Sequence, residues 1–246
     1  MKFFSLFFAT PLYFALTLIT LIVWDPLLKL VWALWPTKHK AVMDSGIGLL
    51  VRWLSVLGSK PKISFHTKIA PHQPILFVSN HQSELDIPLL MWFLKEYHPL
   101  FVAKKELGAW VPSVSHTLRV NGSILIDRKN PAQAIPLLKS LGERISAQKF
   151  SGCIFPEGTR SRDGKLKKFK VAGAAAILEA ANPPLLVVPV CINGSAELIK
   201  RGLFPLPLGL PISVEVLPPV CSPEEAKQAP VKALELCQQS ISAALK

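Results

Sequence analysis

Two polar clusters in this chain hold residue types suited to acid–base chemistry and to anion recognition, and each directly follows a short apolar run. The first is Ser79-Asn80-His81-Gln82-Ser83-Glu84-Leu85-Asp86, after the apolar residues 75–78. Active sites of α/β folds collect at the carboxyl ends of buried strands, so this turn is an expected place for one. His81 and Asp86 stand five residues apart across it. A carboxylate in the first turn of the next helix can fold back onto the imidazole, fix one ring nitrogen as a donor and leave the other as a base. Base plus orienter without a nearby nucleophile predicts that the nucleophile is a substrate group, most simply a hydroxyl. The plain alternative is an aspartate that caps a helix beside a histidine that fills a turn.

The second cluster is Phe155-Pro156-Glu157-Gly158-Thr159-Arg160-Ser161, again after a strand-like run. Glycine permits close backbone approach to a ligand, and arginine offers a planar donor fork for phosphate. Arg162, Lys165, Lys167, Lys168 and Lys170 follow. They read as a solvated face able to meet anionic headgroups or an acidic protein. Arg128 closes a third cluster, Gly122 to Arg128, where it is placed to approach a phosphate from another side. A fourth, Val187-Val188-Pro189-Val190, reads as architecture or acyl-chain lining.

Around these clusters the chain alternates strand-like and helix-like segments. Strands are expected at 75–78, 100–103, 124–126, 153–155 and 185–192, with an edge strand at 212–217. Helices are expected at 87–94, 131–148 (its start made uncertain by Pro136), 171–181 and 223–245. That order predicts an α/β fold: a mixed, mostly parallel sheet flanked by helices. Residues 59–246 would form this catalytic domain and residues 1–58 N-terminal membrane-anchoring helices. The four cysteines, Cys153, Cys191, Cys221 and Cys237, show no metal-ligand spacing; Cys153 and Cys191 sit in apolar runs and read as core. The other five histidines read as surface or core filler, and no metal site is suggested.

Charge and hydropathy say what surrounds the chemistry. The 246 residues carry 28 basic and 16 acidic side chains, a net +12, yet mean hydropathy is +0.36. This excludes disorder, which needs low hydrophobicity. The surplus charge is concentrated at 61–170, with seventeen basic and eight acidic residues. The apolar surplus lies at the front, where Phe3 to Trp24 holds no charge. As a helix this run rises about 33 Å, the thickness of a hydrocarbon core. It reads as a membrane-embedded segment rather than a cleaved signal, because no small-x-small site follows it. Trp24, Trp32, Trp35 and Trp53 suit the headgroup level. A second apolar stretch, 47–57, makes a helical hairpin in one leaflet the alternative to a single span. Lys38 and Lys40 place the following body on the cytoplasmic face. Nucleic-acid binding is disfavoured, because only Phe169 interrupts the basic run.

Taken in order, the four clusters resemble the sequence blocks of the glycerolipid acyltransferases, in particular the 1-acylglycerol-3-phosphate acyltransferases. Asn80 to Asp86 matches the family's N-H-x-x-x-x-D block and Phe155 to Ser161 its F-P-E-G-T-R-S block; Phe101 to Leu107 also resembles a family stretch. The resemblance covers about residues 60 to 200. It implies transfer of a fatty acyl group from acyl carrier protein or coenzyme A to the sn-2 hydroxyl of a lysophosphatidate, with no cofactor beyond that donor. His81 would be the base and Asp86 its orienter. Arg160, Arg128 and Lys104 would hold the phosphate, Gly158 and Thr159 would line the acceptor site, and Glu157 would orient those cations or bind acceptor hydroxyls. Backbone amides near Asn80 or His81 would face the oxyanion. The blocks leave another lyso-acceptor open, such as a lyso-ornithine lipid or a lysophospholipid.

Overall fold

The computed structural model describes residues 2–70, 72–127, 130–200 and 202–246. Its centre is a seven-stranded sheet ordered β1-β7-β6-β2-β5-β3-β4. The strands are β1 Lys62–Phe65, β2 Ile75–Ser79, β3 Pro99–Lys104, β4 Ile124–Ile126, β5 Ser151–Ile154, β6 Leu186–Asn193 and β7 Ser213–Val216. Five run parallel, while β7 is antiparallel to β6 and carries β1 parallel to itself. The central strands are buried on both faces and read as continuous apolar runs, as helix-covered parallel strands do.

The helices are α1 Lys2–Phe4, α2 Thr10–Leu34, α3 Pro36–Arg52, α4 Asp86–Phe93, α5 Val114–Val120, α6 Pro131–Gln148, α7 Val171–Ala180, α8 Ala196–Ile199, α9 Pro223–Gln228 and α10 Pro230–Ala244. A π-helical turn, Ser5–Ala9, joins α1 to α2. Helices α6, α7, α9 and α10 pack on one face of the sheet, with Leu141, Ile145, Ile177 and Leu234 fully buried or nearly so. The other face is covered by α4 and by the hairpin of α2 and α3.

Two expectations need correcting, and a third, the start of the helix at 131, is met. The strand at 213–216 is not at the edge: β1 takes that place and pairs with it from Lys62↔Ser213 to Phe65↔Val216. β1 escaped notice because it is four residues long and mostly exposed. The closing helix is two helices, since Pro230 has no N–H with which to continue α9. Helix α6 begins at Pro131 and tolerates Pro136, its start fixed by the Asn130 side chain accepting from the Gln133 amide at 3.2 Å.

The N-terminal helices are built into the core. Ala9, Tyr13, Leu28, Met43, Ile47, Val51, Leu54 and Leu57 belong to the same buried cluster as Phe77, Leu89 and Val190 of the body. Helices α2 and α3 fold back on one another at Trp35-Pro36. Trp24 Nε1 donates to Val42 O at 3.0 Å, and Trp53 Nε1 to Thr20 Oγ1 at 2.9 Å. Gly46 permits this approach, because a Cβ there would lie 2.4 Å from the Trp24 ring. The stretch Ser5–Leu34 contains an 18-residue window with a mean hydropathy of 2.2 and is long and apolar enough to cross a membrane. Its outer face shows Phe7, Phe8, Leu18, Ile19 and Ile22, each more than half exposed.

Candidate active site

The carboxyl ends of β2, β3, β5 and β6 converge beside α2 and α3, and four loops meet there. His81 leaves β2 in a turn that Asp86 closes as the first residue of α4. The His81 Nδ1 atom lies 2.8 Å from Asp86 Oδ2. The same oxygen accepts the backbone amides of Gln82 at 2.6 Å and Ser83 at 2.8 Å. Asp86 Oδ1 accepts the hydroxyls of Ser195 at 2.6 Å and Ser83 at 3.3 Å. Asp86 is fully buried, and these five donors satisfy a charge that would otherwise be costly there. With Nδ1 committed, Nε2 is the imidazole nitrogen left for the cavity that His81 lines. The ring also stacks on Phe155, centroids 4.2 Å apart, so its plane is set from two sides.

The loop after β5 holds the backbone of His81. Glu157 Oε1 accepts the His81 amide at 2.7 Å, and the Ser161 amide donates to His81 O at 2.7 Å. The second Glu157 oxygen accepts the Lys167 amide at 3.0 Å. Burial pushes the Glu157 carboxyl above the ordinary carboxylate range, and the amide bonds from His81 and Lys167 offset only part of that rise. Glu157 thus sits in the scaffold of the loops, with both oxygens on backbone amides. The His81, Gln82 and Ser83 amides all donate to carboxylate oxygens, which leaves none of these three for an oxyanion. Asn80 pairs with β6 instead, its side chain exchanging two hydrogen bonds with the Ile192 backbone.

A cavity of about 560 Å³ opens from this point. His81, Phe155, Arg160 and Lys104 line one part of it. Tyr13, Thr17, Leu21, Trp24 and Leu28 of α2 supply much of an apolar wall, completed by α3, α4 and α5. Arg160 pairs with Glu84, and Lys104 lies 3.3 Å from Glu106. The structure therefore brings together His81, Asp86, Glu157, Arg160 and Lys104. Gly158, at φ +69°, and the exposed Thr159 lie on the connecting loop. Arg128 lies outside the described residues. The run Val187–Val190 is buried in β6 and does not line the cavity, which leaves it as architecture. Burial pushes the Cys153, Cys191 and Cys237 thiols up, which suits core residues and not nucleophiles.

Sequence reasoning missed Ser195 and Glu84. Ser195 follows Gly194 just past β6, a polar residue at a strand's carboxyl end, which was the available signal. Glu84 lies within the first cluster, but its pairing with Arg160 depends on the fold.

Comparison with known proteins gives the same picture. Residues 60–193 match the family model described as Acyltransferase. The 1-acyl-sn-glycerol-3-phosphate acyltransferase of Limnanthes douglasii is 34% identical over 209 residues, covering 84% of this chain and 71% of that protein. The enzyme of the same name from Escherichia coli (strain K12) is 30% identical over 183 residues, 74% of this chain and 70% of that one. In fold, the chain is similar to the crystal structure of the 1-acyl-sn-glycerophosphate (LPA) acyltransferase PlsC from Thermotoga maritima. That match has a TM-score of 0.76 at 22% identity and covers 99% of this chain and 98% of that one. The family match spans both clusters from which the site is built, and on that footing this chain belongs to the acyltransferase family and is an acyl-transferring enzyme.

Proposed function

We propose that the protein is a 1-acyl-sn-glycerol-3-phosphate acyltransferase. It moves a fatty acyl group from acyl carrier protein or coenzyme A to the sn-2 hydroxyl of a lysophosphatidate, giving phosphatidate at a membrane surface. The observation that carries this reading is the geometry at His81: a histidine oriented by a buried carboxylate lines an apolar cavity beside two cationic side chains. The names of the relatives agree with it.

In this mechanism His81 Nε2 takes the proton of the acceptor hydroxyl. The oxygen attacks the thioester carbonyl, the C–S bond breaks, and the imidazolium returns its proton to the departing thiolate. Asp86 holds the donor tautomer and stabilises the imidazolium; general-base action of this kind contributes about 10²–10⁴ in rate. Arg160, Lys104 and Arg128 hold the acceptor phosphate, with Gly158 and Thr159 on the loop that approaches it. Glu157 and Ser161 act at one remove, by fixing the backbone of His81. The apolar cavity takes an acyl chain. Holding hydroxyl and thioester at reacting distance contributes at least as much as the base.

The membrane anchor is the α2–α3 hairpin, lying within one leaflet. This reading is supported by hydrogen bonds from the body to α2 between Thr10 and Asp25. Thr10 accepts from the Leu206 amide and Asp25 from the Ser113 amide at 2.7 Å, while the Ser113 hydroxyl donates to Leu21 O at 2.6 Å. A helix fastened to the body at so many levels cannot stand upright across the bilayer without carrying the body in with it. Lys38 and Lys40 favour the cytoplasmic face. The test offers purified protein a panel of lyso-acceptors with each donor and identifies products by mass. Phosphatidate is the expected main product. Turnover confined to acceptors without a phosphomonoester would overturn the assignment.

A further inference from the structure

The hydrogen bonds that fasten α2 also place a second apolar element beside it. Residues 202–210 form a proline-rich loop between α8 and β7. Leu206 is buried, and its backbone is held by the apolar helix from both sides. Its carbonyl accepts from the Ser5 hydroxyl, and its amide donates to Thr10 Oγ1 at 2.9 Å. The Gly209 amide donates to Leu57 O at 2.7 Å, which ties the far end of the loop to the close of the hairpin. With Leu206 turned inward and Gly209 held, the tip before them is turned outward. Leu203 is 62% exposed and Phe204 53%, and Pro205 is exposed between them and the anchor. Next to this tip, Phe3, Phe4, Phe7 and Phe8 are exposed around the first turns of the apolar stretch.

The geometry points to the loop 202–210 as a second membrane-inserting element, whose Leu203 and Phe204 enter the acyl region of the same leaflet as the first turns of the hairpin. The inference rests on the reading of α2 and α3 as an in-leaflet anchor and adds to it a segment some 150 residues further along the chain. Its occupant is lipid hydrocarbon, for two reasons. The loop is hydrogen-bonded to the helix that the bilayer receives, so the two apolar surfaces adjoin. The exposed tip side chains from Leu203 to Pro205 carry no charge. Each large apolar side chain moved from water into hydrocarbon favours partition by about tenfold to a hundredfold. The loop therefore helps set how the body is tilted on the surface, by adding an insertion point beside the first turns of the hairpin.

The test uses the full chain in a Cys221→Ser background, because the other three cysteines are fully buried. An environment-sensitive fluorophore is attached at Phe204→Cys, and separately at Phe7→Cys, and the protein is mixed with vesicles of phosphatidylglycerol and phosphatidylethanolamine. Both labels are expected to shift to the blue on vesicle addition and to be quenched by lipids carrying a quencher in the acyl chain. A shift at position 7 with none at 204 overturns the loop inference alone. No shift at either position, with no flotation of the protein, overturns the anchor reading as well. A blue shift at 204 that grows with protein concentration in the absence of lipid assigns the patch to a second copy of the chain and also overturns the inference. As an independent measure, Leu203→Glu with Phe204→Glu is expected to lower turnover on vesicle-borne acceptor about tenfold while turnover in mixed micelles stays at the original level. Equal turnover in the two settings counts against insertion.

Discussion

Replacing Asp86 with Asn removes a charge while leaving the local geometry a way to persist. One oxygen of the carboxylate takes three N–H donors, from His81, Gln82 and Ser83, and the other faces only the hydroxyls of Ser195 and Ser83. In Asp86→Asn the amide oxygen keeps the three-donor position, because an NH₂ group there would meet three donors. The NH₂ then faces the hydroxyls, which rotate to accept. The tautomer of His81 is therefore retained, and what is lost is the charge opposite the imidazolium. At about 4 Å between charge centres and an effective dielectric constant of about 20, that interaction is worth about 4 kcal/mol. The expected effect is a fall in kcat of about a thousandfold, with KM for the acceptor little changed. Steady-state assay in detergent, beside a thermal unfolding curve, checks both halves. Activity within about tenfold of the original in a normally folded variant refutes the role given to the carboxylate charge. Combining the change with Ser195→Ala removes the closer rotating acceptor. The double variant should then lose about 1–3 kcal/mol of stability that neither hydroxyl rotation nor water recovers.

Further outcomes follow from the same geometry. His81→Ala should abolish transfer while the protein still floats with vesicles, and retained turnover would remove His81 as the base. Arg160→Ala should chiefly raise KM for a phosphate acceptor, whereas Glu84→Gln, which releases Arg160 from its partner, should lower it; unchanged KM in both would take Arg160 out of the acceptor site. Gly142→Ala puts a Cβ 2.2 Å from the Ile177 carbonyl oxygen between α6 and α7 and should cost about 1–3 kcal/mol of stability, read as a lowered midpoint in thermal unfolding. His39 and His116 face each other Nε2 to Nε2 at 3.0 Å, and burial lowers both below the ordinary value of about 6.5. The unfolded chain therefore binds protons first as pH falls through about 6.5, and stability should drop from there toward the depressed folded values. His39→Asn with His116→Asn should flatten that slope, and an unchanged slope would place its origin elsewhere.

What the sequence made legible was local. The strand 75–79, the turn and the start of α4 lie within twelve residues, so the spacing allowed His81 to meet Asp86, and the structure decides for that pairing over a plain helix cap. Ser195 reaches the same carboxylate from 109 residues away, and only the pairing of β6 beside β2 brings it there. The loop carrying Glu157 was recognised, but not its use: its carboxylate looked like a ligand group and is taken up by the amides of His81 and Lys167. Strand β1 was missed because four residues with one half-buried side chain carry no readable period. The length and apolarity of the front segment were plain. Its attachment along the body depends on Ser113 and Leu206, which no local pattern connects to it.

On the proposed reading α2 is at once the anchor and a wall of the acyl cavity, so the enzyme meets its lipid in two dimensions. On that reading an acyl chain reaches the cavity lined by Tyr13, Leu28 and His81 from the leaflet without first dissolving in water. The rate should then follow the mole fraction of lysophosphatidate in the surface rather than its bulk concentration. Adding inert lipid at constant substrate should slow the reaction by surface dilution. The aqueous donor should obey ordinary saturation, so that one active site shows two kinetic dimensionalities at once.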